Sequence, residues 1–317
     1  MSASGAGGSA LPVLHVLGCG RAARVIARWL LEANQVSVGR VVNRSVESAR
    51  RAVAFVGDGR AVSASDPPPA SGWLLVGLPD RELLAMSPRL QGWLARLSHQ
   101  ASGQRIGREA EDPLDCVFHL SGALDADVLA PCRLPAASLH PVRAFASPEA
   151  ALAAMPGTPC VAEGDRRALD CLRAAIVAAG GDWLELDSTD KARYHAATVV
   201  ASNGLVALTH LARSLADSAR LEPAQAGRLL DHLQRGTLDN LRASPAAEAL
   251  TGPIERADPM ACERLLRAVD ESGQDRSGLF RALGRATLEL AIRKRGERVE
   301  DDALAALFSA RPASRPD

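Results

Sequence analysis

The stretch LHVLGCGRAARVIARWLLEAN, from Leu14 to Asn34, is an apolar run that breaks on two glycines and resumes as an amphipathic helix. A buried strand, a glycine turn and a helix in this order are the start of a βαβ unit. Two interpretations are open at this point. The turn either holds the phosphates of a ligand, or it is only the corner between a strand and a helix.

Short apolar runs and helical runs alternate from Pro12 to Leu186. This alternation predicts an α/β fold, a parallel sheet with helices on both faces. A polar loop is expected at 98–112. The predicted strands are 12–17, 36–42, 61–64, 73–78, 116–120, 137–139, 159–162 and 183–186. The predicted helices are 21–33, 46–55, 88–97 and 166–179.

The glycine turn matches the pattern G-x-G-x-x-A. In a dinucleotide site the first glycine permits the tight turn, the second lets a pyrophosphate approach the backbone, and the small third residue lets the helix lie close to the strand. Backbone N–H groups here, including that of Cys19, are then expected to face the phosphates. The position after the first predicted strand favours a dinucleotide site. Its candidate residues are Gly18, Cys19, Gly20, Arg21, Ala22 and Ala23.

The end of the second predicted strand, Asn43-Arg44-Ser45, bears on which dinucleotide binds. NAD-selective sites usually place a carboxylate here, whereas this sequence has none before Glu47. Arg44 can pair with a 2′-phosphate, and Asn43 and Ser45 can donate hydrogen bonds. The sequence therefore favours NADP(H). Asn43 or Ser45 also suits the cap of the next helix, a role compatible with ligand binding.

Further candidates follow the later strands. Leu78, Pro79 and Asp80 come where the fourth strand should end, and Ser121 follows the fifth. Because open parallel sheets bind ligands at the carboxyl ends of their strands, we include these residues in the cofactor site, with the Leu78 turn near the nicotinamide-side ribose. A plain Pro-Asp helix start explains that turn equally well.

The second half of the chain has a different pattern. After Asp187 long helical stretches replace the strands. The domains are therefore predicted as an N-terminal Rossmann NADP-binding domain at 11–187 and an all-α C-terminal domain for substrate binding and dimerisation at 188–311. Disordered tails are expected at 1–10 and 312–317.

Composition narrows the class of partner. Lys plus Arg and Asp plus Glu both number 37, so no overall field favours nucleic acid or an anionic membrane. No apolar run approaches the ~20 residues that span a bilayer. The six cysteines show neither a CxxC pair nor metal-ligand spacing, which predicts reduced thiols in a cytoplasmic protein and no metal site. A small molecule is the expected partner.

Four further strings are less ordinary: HLSG at 119–122, SLHP at 138–141, KARYHAATVVASN at 191–203 and LTGPIERAD at 250–258. Together with the glycine fingerprint, their order resembles a bacterial family of Rossmann-like, DUF2520 domain-containing proteins. That family belongs to the 6-phosphogluconate-dehydrogenase-like superfamily, alongside ketopantoate, pyrroline-5-carboxylate and β-hydroxyacid reductases and prephenate dehydrogenase.

The resemblance implies an active site against a long helix that begins near Lys191. In β-hydroxyacid dehydrogenases, and similarly in ketopantoate reductases, a lysine at this place gives a proton to the carbonyl oxygen, which implies the same role for Lys191. His195, four residues later on the same helix face, would be its partner; β-hydroxyacid dehydrogenases show Asn there. The open alternative is that Lys191 is an exposed helix start and His195 a packed side chain.

Other residues carry two interpretations each. Asn203, on the same helix as Lys191, either binds a substrate carboxylate or ties the helix to a neighbour. His140 resembles the His-Pro histidine of prephenate dehydrogenases, beside the substrate; His119 is the weaker candidate, and a core or capping role competes for both. Arg256 either clamps a carboxylate or pairs with Asp258 to brace its loop.

The expected function is an NADPH-dependent reductase of a small 2-oxo acid of the ketopantoate type. Lys191 would donate the proton, and His195 and Asn203 would orient the substrate. The alternatives are a pyrroline-5-carboxylate-type imine reductase and a non-catalytic NADP-binding sensor or assembly module. The superfamily implies a homodimer through the helical domain, with the stretch 205–215 as a possible contact.

Overall fold

The computed structural model describes residues 10–66, 71–85 and 114–310. The predicted helix at 88–97 and the predicted loop at 98–112 lie outside the described residues. So do the expected disordered tails, except for Ala10.

Eight strands form one sheet in the order β3-β2-β1-β4-β5-β6-β7-β8. The first six strands have the 3-2-1-4-5-6 order of a doubly wound Rossmann sheet, which confirms the predicted fold class. The prediction of an all-parallel sheet is wrong for one pair, because β7 runs antiparallel to β6. The strands are β1 (Val13–Leu17), β2 (Ser37–Val42), β3 (Arg60–Val62), β4 (Gly72–Val76), β5 (Leu114–His119), β6 (Ala136–Pro141), β7 (Pro159–Gly164) and β8 (Asp182–Glu185).

Strand β4 shows why the strands are continuously apolar. Trp73 and Leu75 belong to the core on one face of the sheet, and Leu74 and Val76 belong to the core on the other. Successive side chains of a strand point to opposite faces, so both faces are covered. The helices of this region are α1 (Arg21–Glu32), α2 (Val46–Val56), α3 (Asp80–Leu84), α4 (Pro148–Ala153) and α5 (Arg166–Ala178).

The described residues form two compact units, one up to Val200 and one from Ala201. The sequence placed the boundary earlier, between 187 and 188. The first unit extends further because it includes helix α6 (Lys191–Val199), whose first residue is tied to the sheet. That residue, Lys191, bonds to Ser138 on β6 and to Glu163 on β7.

The second unit is helical over its described residues. A π-helical segment, Val200–Gly204, precedes its first helix. Its largest core joins α10, α11 and α12 through Cys262, Leu266, Leu288, Leu304 and Phe308. No described helix has the length and apolarity needed to cross a membrane. The helices are α7 (Leu205–Ser218), α8 (Pro223–Ala243), α9 (Ala246–Ala249), α10 (Pro259–Asp270), α11 (Gln274–Arg295) and α12 (Asp301–Ser309).

Candidate functional site

A cleft of about 790 Å³ lies along the carboxyl ends of β2, β1, β4 and β5. Every residue that the sequence proposed for the cofactor lines this cleft except Ser45: Gly18, Cys19, Gly20, Arg21, Ala22, Ala23, Asn43, Arg44, Leu78, Pro79, Asp80 and Ser121. The cleft also includes residues that the sequence did not single out for the cofactor: Leu17, Arg24, Val42, Ser48, Ala64, Gly77, Arg81, Glu82 and Leu120.

The two glycines of the turn are needed for different reasons. Gly18 has φ +85°, and a Cβ there would lie 2.6 Å from Cδ2 of Leu78, so the protein's own packing demands glycine. A Cβ on Gly20 would meet only the carbonyl oxygen of Gly77, at 4.0 Å. The missing side chain at Gly20 therefore leaves open space in the cleft, as a ligand that approaches the backbone requires.

Gly77, after β4, completes this surface. A Cβ on Gly77 would strike the carbonyl oxygen of Gly18 and lie 2.6 Å from Cβ of Ala23. The turn after β4 therefore packs directly on the glycine turn. This contact gives the small third residue of the fingerprint, Ala23, a specific neighbour.

Asn43 and Ser45 have structural roles here. The N–H of Cys19 donates to Oδ1 of Asn43 at 2.6 Å, and Nδ2 of Asn43 donates to Oγ of Ser48 at 3.2 Å. Oγ of Ser45 caps α2 by accepting the N–H of Ser48 at 3.2 Å. The N–H of Cys19 is therefore already donated to Asn43, and its expected contact with a phosphate stays a prediction.

The start of α1 remains open to a ligand. Gly20, at its N-cap, offers no side-chain hydrogen bond, and the first turn contains no acidic residue. The positive end of the helix dipole is consequently not neutralised by the helix itself. Arg44, exposed at the cleft wall, has no hydrogen bond or ion pair within the described ranges. Both features suit an anionic ligand.

His119 is a structural residue. Its ring is fully buried; Nδ1 accepts the N–H of Ser121 at 3.1 Å, and Nε2 lies 2.9 Å from the carbonyl oxygen of Asp125. These contacts fix the neutral ring with its proton on Nε2. Burial lowers the pKa of His119 to about 4. Of its two proposed roles, the structure favours that of a core residue over that of a substrate-site residue.

His140 lies in a cluster of aromatic side chains beside the cleft. Its Nδ1 is 2.7 Å from the hydroxyl of Tyr194, and its ring meets that of His195 edge-on at 5.6 Å between centroids. A Cβ on Gly122 would strike Nδ1 of His195 and lie 2.9 Å from Nε2 of His140. Because Ser121 lines the cleft, the next residue, Gly122, joins the cleft to this cluster.

The His140–Tyr194 pair is neutral near pH 7. Burial lowers the pKa of His140 to about 4 and raises the pKa of Tyr194 to about 12. The phenol therefore keeps its proton. The neutral imidazole has one protonated ring nitrogen, which donates, and one unprotonated ring nitrogen, which accepts. Such a pair can donate the phenolic proton to a substrate while the hydrogen bond between His140 and the phenolic oxygen adjusts.

Lys191 is buried and hydrogen-bonded within the protein. Its side chain is 3% exposed, and its Nζ donates to Oγ of Ser138 and to Oε1 of Glu163, the latter at 3.0 Å. Lys191 is absent from the cleft lining. The predicted convergence of Lys191 and His195 on one oxygen stays a prediction; in the structure the lysine bonds to the sheet and His195 packs against His140. The alternative of an exposed lysine is wrong.

The candidates of the second unit have their own surroundings. Asn203 is exposed and lies in the π-helical segment, so regular 3.6-residue spacing from Lys191 does not hold. The carboxylate of Asp258 caps α10 by accepting the N–H of Ala261 at 2.9 Å. The expected pairing of Arg256 with Asp258 is not formed, since that carboxylate serves the helix and Arg256 is exposed.

Sequence reasoning missed Tyr194, Glu163 and Ser138. Tyr194 is the single tyrosine of the chain and lies within a string that was quoted for Lys191 and His195. Its rarity was the available signal. Ser138 lies within the quoted string SLHP but was not singled out, and Glu163 carried no signal, since each becomes significant only when β6, β7 and α6 are brought together.

Comparison with known families agrees with the resemblance stated from the sequence. Residues 158–287 match DUF2520, the "Domain of unknown function (DUF2520)". This range includes Glu163, Lys191 and Tyr194. No curated protein matches the sequence.

Solved structures share the fold. A Thermotoga maritima protein, TM1727, aligns with a TM-score of 0.65 at 24% identity, over 89% of this chain and 99% of that chain. A Bacteroides fragilis protein, BF3122, proposed to be an NADP oxidoreductase, aligns with a TM-score of 0.68 at 19% identity, over 88% and 98%. A pyrroline-5-carboxylate reductase of Coxiella burnetii aligns with a TM-score of 0.53 at 13% identity, over 94% and 99%.

Proposed function

We propose that this protein is an NADP(H)-dependent oxidoreductase that reduces a small carbonyl compound. One observation carries the proposal. The cleft begins at the glycine turn and Arg44 and extends to Ser121, and the adjoining Gly122 lies against His140 and His195. A phosphate-binding surface and a proton-holding pair thus lie along one edge of one sheet.

The cofactor residues fit NADP(H) on the geometry of the cleft. The uncapped start of α1 and the open face of Gly20 suit a pyrophosphate. Arg44, which has no ion pair among the described residues, suits a 2′-phosphate. The fold shared with a protein proposed to be an NADP oxidoreductase agrees with this choice. Bound NADPH would supply the hydride.

Tyr194 and His140 are the proton-handling residues of the proposal. Tyr194 holds a proton at its phenolic oxygen throughout the neutral pH range. His140, through Nδ1 at 2.7 Å, orients that hydroxyl and accepts or supplies a hydrogen bond as the proton moves. Tyr194 therefore takes the donor role that the resemblance implied for Lys191. His195, beside His140, is proposed to contact the substrate.

A 2-oxo acid of the ketopantoate type is the first candidate substrate. Its carbonyl oxygen must gain a proton as the carbon is reduced, and the protonated phenol of Tyr194 has one to give. A cyclic imine of the pyrroline-5-carboxylate type is the second candidate, and the fold shared with the Coxiella burnetii enzyme favours it. Its nitrogen already carries the proton in the iminium form, so a donor at Tyr194 would then be dispensable.

The test is NADPH oxidation with ketopantoate and with 1-pyrroline-5-carboxylate, each in the native protein and in Tyr194→Phe. We expect turnover of ketopantoate that the substitution reduces strongly. Turnover of the imine alone, unaffected by Tyr194→Phe, would support imine reduction instead. NADPH binding without consumption by any of a panel of oxo and imino acids would support the sensor, and absence of NADPH binding would refute the whole proposal.

The second unit is proposed to form a homodimer. Its first two helices expose apolar side chains, among them Val206, Leu229 and Leu233, which are 69%, 54% and 62% exposed. An exposed apolar surface of this kind marks a contact with a partner. Light scattering should give twice the chain mass, and Leu233→Glu should lower it; a native monomer would refute this assembly.

A further inference from the structure

Lys191 and Glu163 form an ion pair inside the first unit. Their side chains are 3% and 5% exposed, and Nζ lies 3.0 Å from Oε1. Burial lowers the pKa of Lys191 and raises that of Glu163, and each charge opposes the shift of the other. Charges are buried in proteins only when they are paired and hydrogen-bonded. This pair is consequently a costly feature that calls for a role.

Neighbouring polar groups complete the environment of the pair. Oε1 of Glu163 also accepts the N–H of Ala126 at 3.0 Å. Ser138, which accepts from Lys191, donates its hydroxyl to the carbonyl oxygen of Ser121 at 3.2 Å. The network therefore joins the residue at the end of the cleft to β6, to β7 and to the first residue of α6.

The position of Lys191 in the helix links the network to the phenol. Lys191 is the first residue of α6, and Tyr194 and His195 follow three and four residues later. Residues at these spacings lie on one face of a helix, about one turn apart. Fixing Lys191 on the sheet therefore fixes where both rings lie relative to His140 on β6.

We propose that Lys191 is a positioning residue: its ion pair with Glu163 holds the start of α6 on the sheet and thereby brings the hydroxyl of Tyr194 onto His140. This inference rests on the proposed function for its kinetic consequence. It assigns the placement of the proton donor to one buried ion pair.

The kinetic test compares Lys191→Met with the double variant Lys191→Met/Glu163→Gln. Methionine matches the stem of the lysine, and glutamine retains an oxygen for the N–H of Ala126. The single variant leaves a buried carboxylate unpaired and should lose turnover, whereas removal of both charges is often tolerated. We expect kcat of the double variant to return to within about tenfold of the native value. If Lys191 were instead the general acid, kcat of the double variant would stay about 100-fold or more below the native value.

Lys191→Arg provides a second route if the methionine variants fold poorly. Arginine can pair with Glu163 but does not release a proton at neutral pH. Retention of kcat within about tenfold supports a positioning role, because loss of a general acid costs about 100-fold or more. Loss of kcat beyond that in a folded Lys191→Arg protein with a native His140 signal would overturn the inference and return the donor role to Lys191.

An NMR measurement separates this inference from the proposed function. The ring ¹⁵N shifts of His140 report its hydrogen bond with Tyr194, and they need no substrate. Lys191→Met should shift them, and the double variant should restore them, while Arg193→Ala, an exposed neighbour on the same helix, should leave them unchanged. Native His140 shifts in folded Lys191→Met would overturn the inference even if the protein proves to be a reductase. A protein without turnover that nevertheless shows the shift and its restoration would refute only the proposed function.

Discussion

The two ends of the cleft are built differently. The glycine end, formed by Gly18, Gly20 and Gly77, is a surface of backbone whose shape depends on side chains that are absent. The polar end starts at Ser121 and continues beyond the cleft lining into the adjoining cluster of Gly122, His140, Tyr194 and His195, which depends on side chains from β6 and α6.

Because of this difference, substitutions at the two ends should affect different properties. Adding one carbon at the glycine end should remove cofactor binding, because the backbone there has no room to move. Removing one oxygen at the polar end should leave the fold and cofactor binding nearly intact and remove turnover.

Gly18→Ala should have the largest effect. The new Cβ would meet Leu78 at 2.6 Å and adopt φ +85°, at a combined cost of roughly 2–4 kcal/mol of unfolding free energy. NADPH binding by titration should weaken by about 100-fold or more, an effect of about 3 kcal/mol. Gly180→Ala is the matched control, since φ is +84° and the added carbon would have no neighbour within 4 Å. Equal losses of unfolding free energy in both variants would show that backbone strain, and not the contact with Leu78, destabilises Gly18→Ala.

Tyr194→Phe should lower kcat by about 100-fold or more with the proposed carbonyl substrate, since a general acid contributes at least that much. Direct titration should show NADPH binding within about twofold of native, because Tyr194 is not among the residues that line the cleft. Arg193→Ala, exposed on the same helix, serves as the control with native kcat. A Tyr194→Phe protein that keeps native turnover of a carbonyl substrate would contradict the assignment of the donor.

Arg44→Ala should change cofactor choice rather than turnover. Loss of an arginine–phosphate contact should weaken NADPH binding by about tenfold, or roughly 1.4 kcal/mol, and leave NADH binding unchanged. Parallel titrations with the two cofactors measure this difference. Arg50→Ala, exposed on α2 and outside the cleft lining, should show no change. If NADH and NADPH weaken equally, Arg44 does not recognise the 2′-phosphate.

Acid should destabilise the first unit through its buried histidines. Burial lowers the pKa of His15, His119 and His140 to about 4, so the unfolded chain binds more protons than the folded one between about pH 4 and 6.5. Stability is therefore full above pH 6.5 and falls as the pH drops through this window, by about 1–2 kcal/mol per histidine between pH 7 and pH 5. Urea unfolding at pH 7 and at pH 5 measures this loss of unfolding free energy.

His119→Gln is the variant that tests this origin of acid sensitivity. It should be less stable than the native protein at pH 7, because the contacts to Ser121 and Asp125 are disturbed, but it should lose less on going to pH 5. His232→Gln, an exposed change in the second unit, should keep the native pH dependence. An unchanged loss in His119→Gln would mean that His119 is not among the groups that titrate on unfolding.

The glycine end could be predicted from the sequence because its information is local. Gly18 to Ala23 lie within one strand-to-helix turn, and strand order follows from the alternation of elements. Gly77 packs on this turn from a different strand, so its contact was not readable. The boundary of the first unit was placed too early for the same reason, because what holds α6 to the sheet is the contact of Lys191 with Glu163.

The polar end could be predicted only in part. His140 and His195 were named, and the i, i+4 spacing gave Lys191 as the partner of His195, but the pattern paired neither the two histidines with each other nor His140 with Tyr194. The decisive contacts join residues far apart in the chain: His140 with Tyr194, and Lys191 with Ser138 and Glu163. Such pairings depend on the register of β6, β7 and α6, which hydrophobic periodicity does not specify.

A crystal structure of the complex with NADP⁺ tests the central claim most directly. The account predicts the pyrophosphate against Gly18 and Gly20, the 2′-phosphate against Arg44, and the nicotinamide at the Ser121 end, beside Tyr194 and His140. A dinucleotide bound in the reverse direction, or bound with its nicotinamide away from Tyr194, would contradict it.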